Sequence, residues 1–322
     1  MPLSEFDLIR HYFIREGDRP GVVLGIGDDA AILQLPPGEQ LLASTDTLVA
    51  GRHFPNNTAP VDIGWKALAV NLSDLAAMGA TPRWCLLALT LPEADPLFLQ
   101  GFAQGFWALA DQAGIALVGG DTTRGPLTIT VTVMGSAPAG TALRRDGACV
   151  GDDIYVSGTP GDAGLGLLLA QGGKVPGLSP VAQAAALAAL NRPQPRLALG
   201  LALRGLASSV LDISDGLAQD LGHILTRSGL GATVEVESLP LSDALRACDP
   251  RQALHWALGA GDDYELCFTA PPAQADAIAA LAHQHHTRLT RIGHIELGSG
   301  LRLLRQGRAL PFDAAGFQHF RG

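Results

Sequence analysis

Nine aspartates, Asp28, Asp29, Asp46, Asp74, Asp121, Asp212, Asp215, Asp262 and Asp263, share a placement: nearly all fall where a strand or helix is predicted to begin or end, in stretches that carry glycine, serine or threonine. Carboxylates and hydroxyls with few bases among them suit a hard cation such as Mg²⁺. That ion takes a few carboxylates, waters and substrate phosphates. Phosphoryl transfer fits such an inventory, because it depends on positioning and charge neutralisation more than on a covalent protein group. The local alternative is an Asx turn at Asp28-Asp29, a strand-end cap at Asp46 and a helix N-cap at Asp215. A cap explains Asp215 but not Asp212 as well. The sequence holds no HExxH motif and no evident Ser/His/Asp or Cys/His arrangement.

The elements that must position these acids follow from periodicity. Residues 4–15 predict a helix with Ser4 as N-cap. Residues 31–35 and 41–45 predict two strands joined by Pro36-Pro37-Gly38 as a hairpin, with Asp46 closing the second. Residues 60–80 predict a helix whose buried face carries Trp65, Leu68, Leu72, Leu75 and Met78. Asn71, Ser73 and Asp74 interrupt its apolar run, either as a solvated stripe or as functional groups. A strand over 83–91 and a helix over 95–113, ended by Gly114, come next. A short strand over 115–118 then runs into the loop Gly119-Gly120-Asp121-Thr122-Thr123-Arg124-Gly125, where glycine lets backbone approach a ligand. With a strand over 127–133, the first domain reads as α+β.

The boundary falls within 138–151, where Arg144-Arg145 is either a phosphate clamp or a solvated linker pair. The second domain reads as α/β. A strand over 153–157 opens it, followed by the glycine-rich turn 158–166, a weak candidate for anion binding. Gly172-Gly173-Lys174-Val175 lacks the spacing and the Ser/Thr of a P-loop. Residues 210–216, VLDISDG, end a strand and open a helix. GDDYE at 261–265 again puts acids at a strand edge. His283, His285 and His286 trail a helix end and read as a solvated turn.

The chain has 322 residues, 47% hydrophobic and 16% charged, a globular composition with room for two cores. Its 22 basic against 31 acidic residues give −9, with no basic stripe for nucleic acid. A polyanionic substrate would meet repulsion unless metal ions intervene. Cys85, Cys149, Cys248 and Cys267 form no CxxC pair and read as small buried hydrophobes of a reducing compartment. No signal peptide and no bilayer-length apolar run appear, so the expected location is the cytoplasm, without membrane contact.

The motifs GIGDDAA, STDTLVAGRHF, KALAVNLSDLAAMGA, GGDTTRG, LDISDGL and GDDYELCF, in this order over nearly the whole chain, resemble the thiamine-monophosphate kinase family of the aminoimidazole ribonucleotide synthetase superfamily. The resemblance implies a two-domain fold, with an N-terminal ATP/Mg-binding and dimerisation domain over 1–137. An α/β domain over 138–322 completes the active site. It implies phosphorylation of thiamine monophosphate to the diphosphate by ATP, in line, with several Mg²⁺ ions. Asp29, Ser44, Thr45, Asp46, Asp74, Asp121, Asp212 and Asp215 would be the metal ligands. Gly120, Asp121, Arg145 and Ser214 would contact ATP, and His53, Asp262 and Phe317 the substrate. GDDYE stands where GEDYE is more frequent, and Phe317 where Tyr or Trp is common. No residue is an obvious general base. The first-domain sheet would pair with its twin in a homodimer. A selenophosphate synthetase would need a cysteine in the N-terminal loop, and a hydrogenase-maturation relative a C-terminal one; neither is present. A nucleotide-binding regulator without turnover is the rival from another class.

Overall fold

The structure, a computed structural model, describes residues 5–15, 17 and 19–312. Ser4 and Phe317 lie outside the described residues. The chain divides into two compact units. One holds the chain up to Leu75 together with Ala80–Gly140; the other holds Ala76–Gly79 and the chain from Thr141 onward.

In the first unit, α1 (Glu5–Leu8) runs into a π-helical turn at Ile9–Phe13, and β1 (Val22–Leu24) and β2 (Ile32–Leu33) pair with each other. Then come β3 (Glu39–Val49), α2 (Pro60–Ala77), β4 (Thr81–Leu91), α3 (Pro96–Ala113), β5 (Ala116–Arg124) and β6 (Thr128–Pro138). The last four strands form one sheet in the order β3-β6-β4-β5. The expected hairpin is not formed, because β3 pairs with β6 along its full eleven residues. A long-range ladder of that length, with hydroxyl pairs Thr45–Thr132 at 2.9 Å and Thr47–Thr130 at 2.8 Å, outweighs any short pairing across Pro36-Pro37-Gly38. Asp46 is therefore inside a strand, not at its end.

Helix α3 is bounded as its sequence predicts. The Asp95 side chain accepts from the Leu97 N–H, and Gly114 closes the helix at φ +67°. Helix α2 stops at Ala77 rather than 80, where Gly79 turns left-handed at φ +60°. The two helices cross closely at glycine: a Cβ on Gly105 would sit 1.8 Å from the Val61 carbonyl oxygen. Strand β5 continues through Gly119, Gly120 and Asp121 to Arg124, instead of giving way to a loop. Parallel pairing with β4 carries it on, Leu87 opposite Gly120 and Ala88 opposite Asp121.

The second unit contains β7 (Asp153–Ser157), α4 (Asp162–Ala170), α5 (Pro180–Asn191), α6 (Leu197–Leu203), β8 (Ser209–Asp212) and α7 (Leu217–Ser228). After these come β9 (Gly231–Glu235), α8 (Asp243–Arg246), α9 (Pro250–Gly259), β10 (Leu266–Ala270), α10 (Ala275–Gln284), β11 (Leu289–Glu296), β12 (Gly300–Arg305) and β13 (Arg308–Ala309). Its seven-stranded sheet has the order β13-β12-β9-β11-β7-β10-β8. Apolar residues of α7, among them Leu217, Leu221, Ile224 and Leu225, pack with Ile154, Val156, Leu211 and Cys267 of the sheet. Strands β7, β8 and β10 are buried at every position, so both faces of the sheet are covered there. Of the cysteines, Cys149 is exposed rather than buried, in a turn where its N–H donates to the Asp152 carboxylate at 2.9 Å.

Candidate active site

In the first unit the acids are organised by the contact of β3 with α2. Because β3 is an edge strand, the Asp46 N–H has no partner in β6. It donates instead to Asn71 Oδ1 at 2.9 Å, and Asn71 Nδ2 donates to the Ala67 carbonyl at 3.0 Å. Asn71 is fully buried, so its two bonds satisfy an amide that would otherwise be costly inside an apolar helix. One turn further along α2, the half-buried Asp74 accepts from the Ser44 hydroxyl at 2.5 Å. Ser44, Asp46, Asn71 and Asp74 are thus tied to one strand–helix contact, which accounts for Asn71 and Asp74 in the polar interruption of α2 but not for the buried Ser73 hydroxyl.

Register separates other candidates from this group. Asp46 shares a row with Val131 and Leu87, whereas Asp121 shares the next row with Ala88, Thr130 and Thr47. Adjacent rows of a sheet point to opposite faces, and β5 is three strand spacings, about 14 Å, from β3. Thr45 points with Asp121, its hydroxyl on Thr132. Gly120 is fixed as glycine: at φ +154° a Cβ would lie 1.9 Å from the Leu87 carbonyl oxygen. Asp29 is exposed between β1 and β2, its N–H donating to Asp28 Oδ1 at 2.8 Å, the local turn that the sequence allowed. His53 follows β3, and its Nδ1 accepts the Val49 N–H at 2.9 Å. The neutral ring then carries its proton on Nε2 and is a donor there.

In the second unit two loops are laced together. The Asp262 N–H donates to the Ser214 carbonyl at 2.9 Å and the Tyr264 N–H to the Ile213 carbonyl at 2.8 Å. The Tyr264 hydroxyl donates to Asp262 Oδ1 at 3.2 Å. Asp262 and Tyr264 both have left-handed backbone, φ +68° and +51°, a strain that such lacing must hold. This brings Asp212, Ser214 and Asp215 into one neighbourhood with Asp262. Asp212 is buried at the end of β8.

Two side chains outside the motifs, Asp220 and Arg196, and Glu265 at the end of GDDYE hold this neighbourhood. Asp215 does not cap α7. Instead Asp220, five residues on and 4% exposed, takes the N–H groups of Ser214, Asp215 and Gly216 on its Oδ2 at 3.0, 3.0 and 3.1 Å. Burial pushes its carboxyl up to about 7, against the pull of those donors. Glu265 is buried and forked by Arg196, whose Nε donates to Oε2 at 2.7 Å; the Ser157 hydroxyl donates to the same oxygen. Arg196 stands at the start of α6, distant in sequence from every acid motif.

Asp263 is spent on structure. Its Oδ2 accepts the Gly161 N–H at 2.7 Å and its Oδ1 the Ala163 N–H at 3.3 Å. The glycine-rich turn 158–166 therefore has a protein carboxylate at its helix end, not an open anion seat. Burial holds the Asp263 carboxyl well above the usual carboxylate range. A carboxyl raised on folding keeps its proton longer in the folded state, so its stabilising share is complete below about pH 4 and is lost as pH rises through the raised value. Asp263→Asn should flatten that loss, by about 1.4 kcal/mol for each unit by which the carboxyl is raised. Urea unfolding at several pH values between 4 and 8 measures this. Equal slopes for parent and variant would contradict it.

Arg144-Arg145 is not a free linker. The Val210 N–H of β8 donates to the Arg144 carbonyl at 2.9 Å, and the Arg144 guanidinium pairs with Asp146. Arg145 is exposed. Among the described residues, no group of three or more His, Cys, Asp or Glu side chains forms a ready metal cluster. The donors in these two places, Ser44 with Asp74 near Asp46 in the first unit, and Asp212 and Asp215 three residues apart in the second, are all oxygens. That donor set fits a hard cation with one or two protein carboxylates, its other positions left to water and phosphate. No helix of the described residues is long and apolar enough to cross a membrane.

With this geometry in view, the chain can be set beside known proteins. Residues 27–137 match the N-terminal domain of AIR synthase related proteins and residues 150–305 match their C-terminal domain, which defines the class. The thiamine-monophosphate kinase of Salmonella typhimurium is 49% identical over 99% of both chains. The crystal structure of thiamine-monophosphate kinase from Stenotrophomonas maltophilia K279a superposes with a TM-score of 0.86, at 52% identity, over 96% of this chain and 99% of that one. AaThiL complexed with AMPPCP and TMP superposes at 0.78 and 32% identity over 89% of each chain. Within the AIR synthase related proteins, this chain belongs to the thiamine-monophosphate kinase family.

Proposed function

We propose that this protein transfers the γ-phosphoryl group of ATP directly to a phosphate oxygen of thiamine monophosphate, giving thiamine diphosphate and ADP. The observation that carries the reading is the seating of Asp46 and Asp74 on β3 and α2 by Asn71 and Ser44, in a fold whose full-length relatives are named for this reaction. One phosphorus–oxygen bond forms to the substrate phosphate and one breaks to ADP. The attacking phosphate is ionised near neutral pH, so no general base is required of the protein.

Asp29, Ser44, Thr45, Asp46, Asp74, Asp121, Asp212 and Asp215 would hold Mg²⁺. When bound, the ions neutralise the phosphate charges and align donor and acceptor. Gly120, with Asp121, offers backbone close to the nucleotide, and Ser214 and Arg145 would add further contacts. His53 would donate from Nε2 to the substrate, and Asp262 would accept from it. Residues 1–137 would act as the ATP, Mg²⁺ and dimerisation domain, and 138–322 would supply the remaining contacts. The outward face of the first sheet supports a homodimer: it carries the threonine pairs together with Leu41 and Val49, 52% and 36% exposed. The expected location is the cytoplasm.

The test is a product assay with protein, ATP, Mg²⁺ and thiamine monophosphate, following thiamine diphosphate by chromatography. Mg²⁺-dependent product is the expected result. ATP binding without product from any of a panel of small phosphate acceptors would overturn the kinase reading in favour of a nucleotide-binding regulator.

A further inference from the structure

A cleft of 460 Å³ in the second unit is lined by Arg144, Arg145, Asp146, His223, Thr226 and Arg227, with Met78 beside them. Two elements build it. The first is the 144–146 segment, tied to β8 by the bond from the Val210 N–H. The second is α7, whose His223, Thr226 and Arg227 fall at positions i, i+3 and i+4 and so share one face. The opposite face of α7 is buried in the core through Leu221, Ile224 and Leu225, so this face is held in place. Three arginines and a histidine around one concavity are unusual in a chain of net charge −9.

Among the described residues the only acid lining the cleft, Asp146, is already forked by Arg144, at 2.9 Å from Nε and 2.5 Å from Nη2. Among the described residues neither Arg145 nor Arg227 makes an ion-pair contact; Arg227 acts on the Asp146 carboxylate through charge alone, a weaker influence than that of Arg144. Thr226 is turned back on its helix, its hydroxyl donating to the Gly222 carbonyl at 2.8 Å. What remains for a ligand is two guanidinium groups and an imidazole, all donors. Planar forks of that kind match phosphate oxygens. Val210, which anchors the arginine segment, stands two residues before Asp212, about 7 Å along the strand. The cleft thus lies in the same part of the unit as the carboxylates assigned to Mg²⁺.

We propose that this cleft is a phosphate-recognition subsite for the nucleotide, in which Arg227 grips the polyphosphate from the side opposite Arg145 and His223 adds a further donor. The inference rests on the kinase reading for the identity of the anion, and adds Arg227 and His223 to the residues that bind it.

Calorimetric titration of the full chain with ATP tests the subsite without turnover. Arg227→Met should weaken ATP binding about tenfold, the loss of a charge-assisted contact, and His223→Ala about threefold, with melting temperatures within 2 °C of the parent. Arg251→Met, an exposed arginine on α9, should bind ATP as the parent does. ATP affinity within twofold of the parent in Arg227→Met overturns the proposal. So does inorganic phosphate binding that depends on Arg227 while ATP binding does not, since the cleft would then serve a separate phosphate ligand. A parent protein that binds ATP in an Arg227-dependent way but makes no thiamine diphosphate would sink the kinase reading and leave the subsite standing.

Discussion

Asp46→Asn is expected to lower the rate of thiamine diphosphate formation by 10²- to 10³-fold, roughly the loss seen when one preorganised charge-stabilising group is removed. The substitution keeps the shape of the side chain and removes the charge that a hard cation needs. The tie that shapes the region runs through the backbone N–H of Asp46 to Asn71, so it survives the change. Folding should be preserved, with a melting temperature within about 2 °C of the parent, in line with ordinary exposed-site substitutions. Calorimetric titration with Mg²⁺ in the presence of a non-hydrolysable ATP analogue supplies a second readout, in which the variant should bind the metal more weakly. Activity within tenfold of the parent would remove Asp46 from the metal ligands.

Arg196→Met is expected to destabilise the protein by about 3 kcal/mol, the usual scale when one partner of a largely buried ion pair is lost. The side chains of Arg196 and Glu265 are 26% and 12% exposed. Without Arg196, Glu265 keeps the Ser157 hydroxyl but has no compensating charge. Its main chain accepts the Ile213 N–H at 2.7 Å, next to the laced loops, so the damage should also reach substrate affinity. Urea unfolding measures the first effect. The double variant Arg196→Met/Glu265→Gln should recover part of the loss, because it removes the stranded charge as well. A double variant as unstable as the sum of both single changes would argue against the pair.

How much of this was legible in the sequence depended on how far apart the deciding partners were. The bounds of α3 were readable because Asp95 and Gly114 act within one turn. The acids were readable because aspartate beside glycine and hydroxyl residues is a local pattern. The pairing of residues 31–35 with 41–45 was misread because β3 takes its partner from residues 128–138, and a turn signal carries no information about that competition. The glycine-rich loop at 119–125 was misread for the same reason, since β4 extends it as strand. Asn71 stands out as a polar residue in an apolar helix, but its purpose lies in an edge-strand N–H that only the sheet order reveals. Asp220 gave no signal at all: an acid in the first turns of an amphipathic helix looks like a solvated residue, and only the fold of residues 213–216 aims three N–H groups at it. Glu265 and Arg196 are 69 residues apart, and no spacing rule joins them.

The bond from the Val210 N–H to the Arg144 carbonyl has a bearing on self-association through the backbone. Strand β8 is the last strand on its side of the seven-stranded sheet, where exposed amides would invite a strand from another molecule. The 144–146 segment covers part of that border, and at the far side β13 is only two residues long and begins with Arg308. Both borders are poor templates for strand addition, so this unit is guarded against edge-to-edge aggregation by the same segment that carries its cationic side chains.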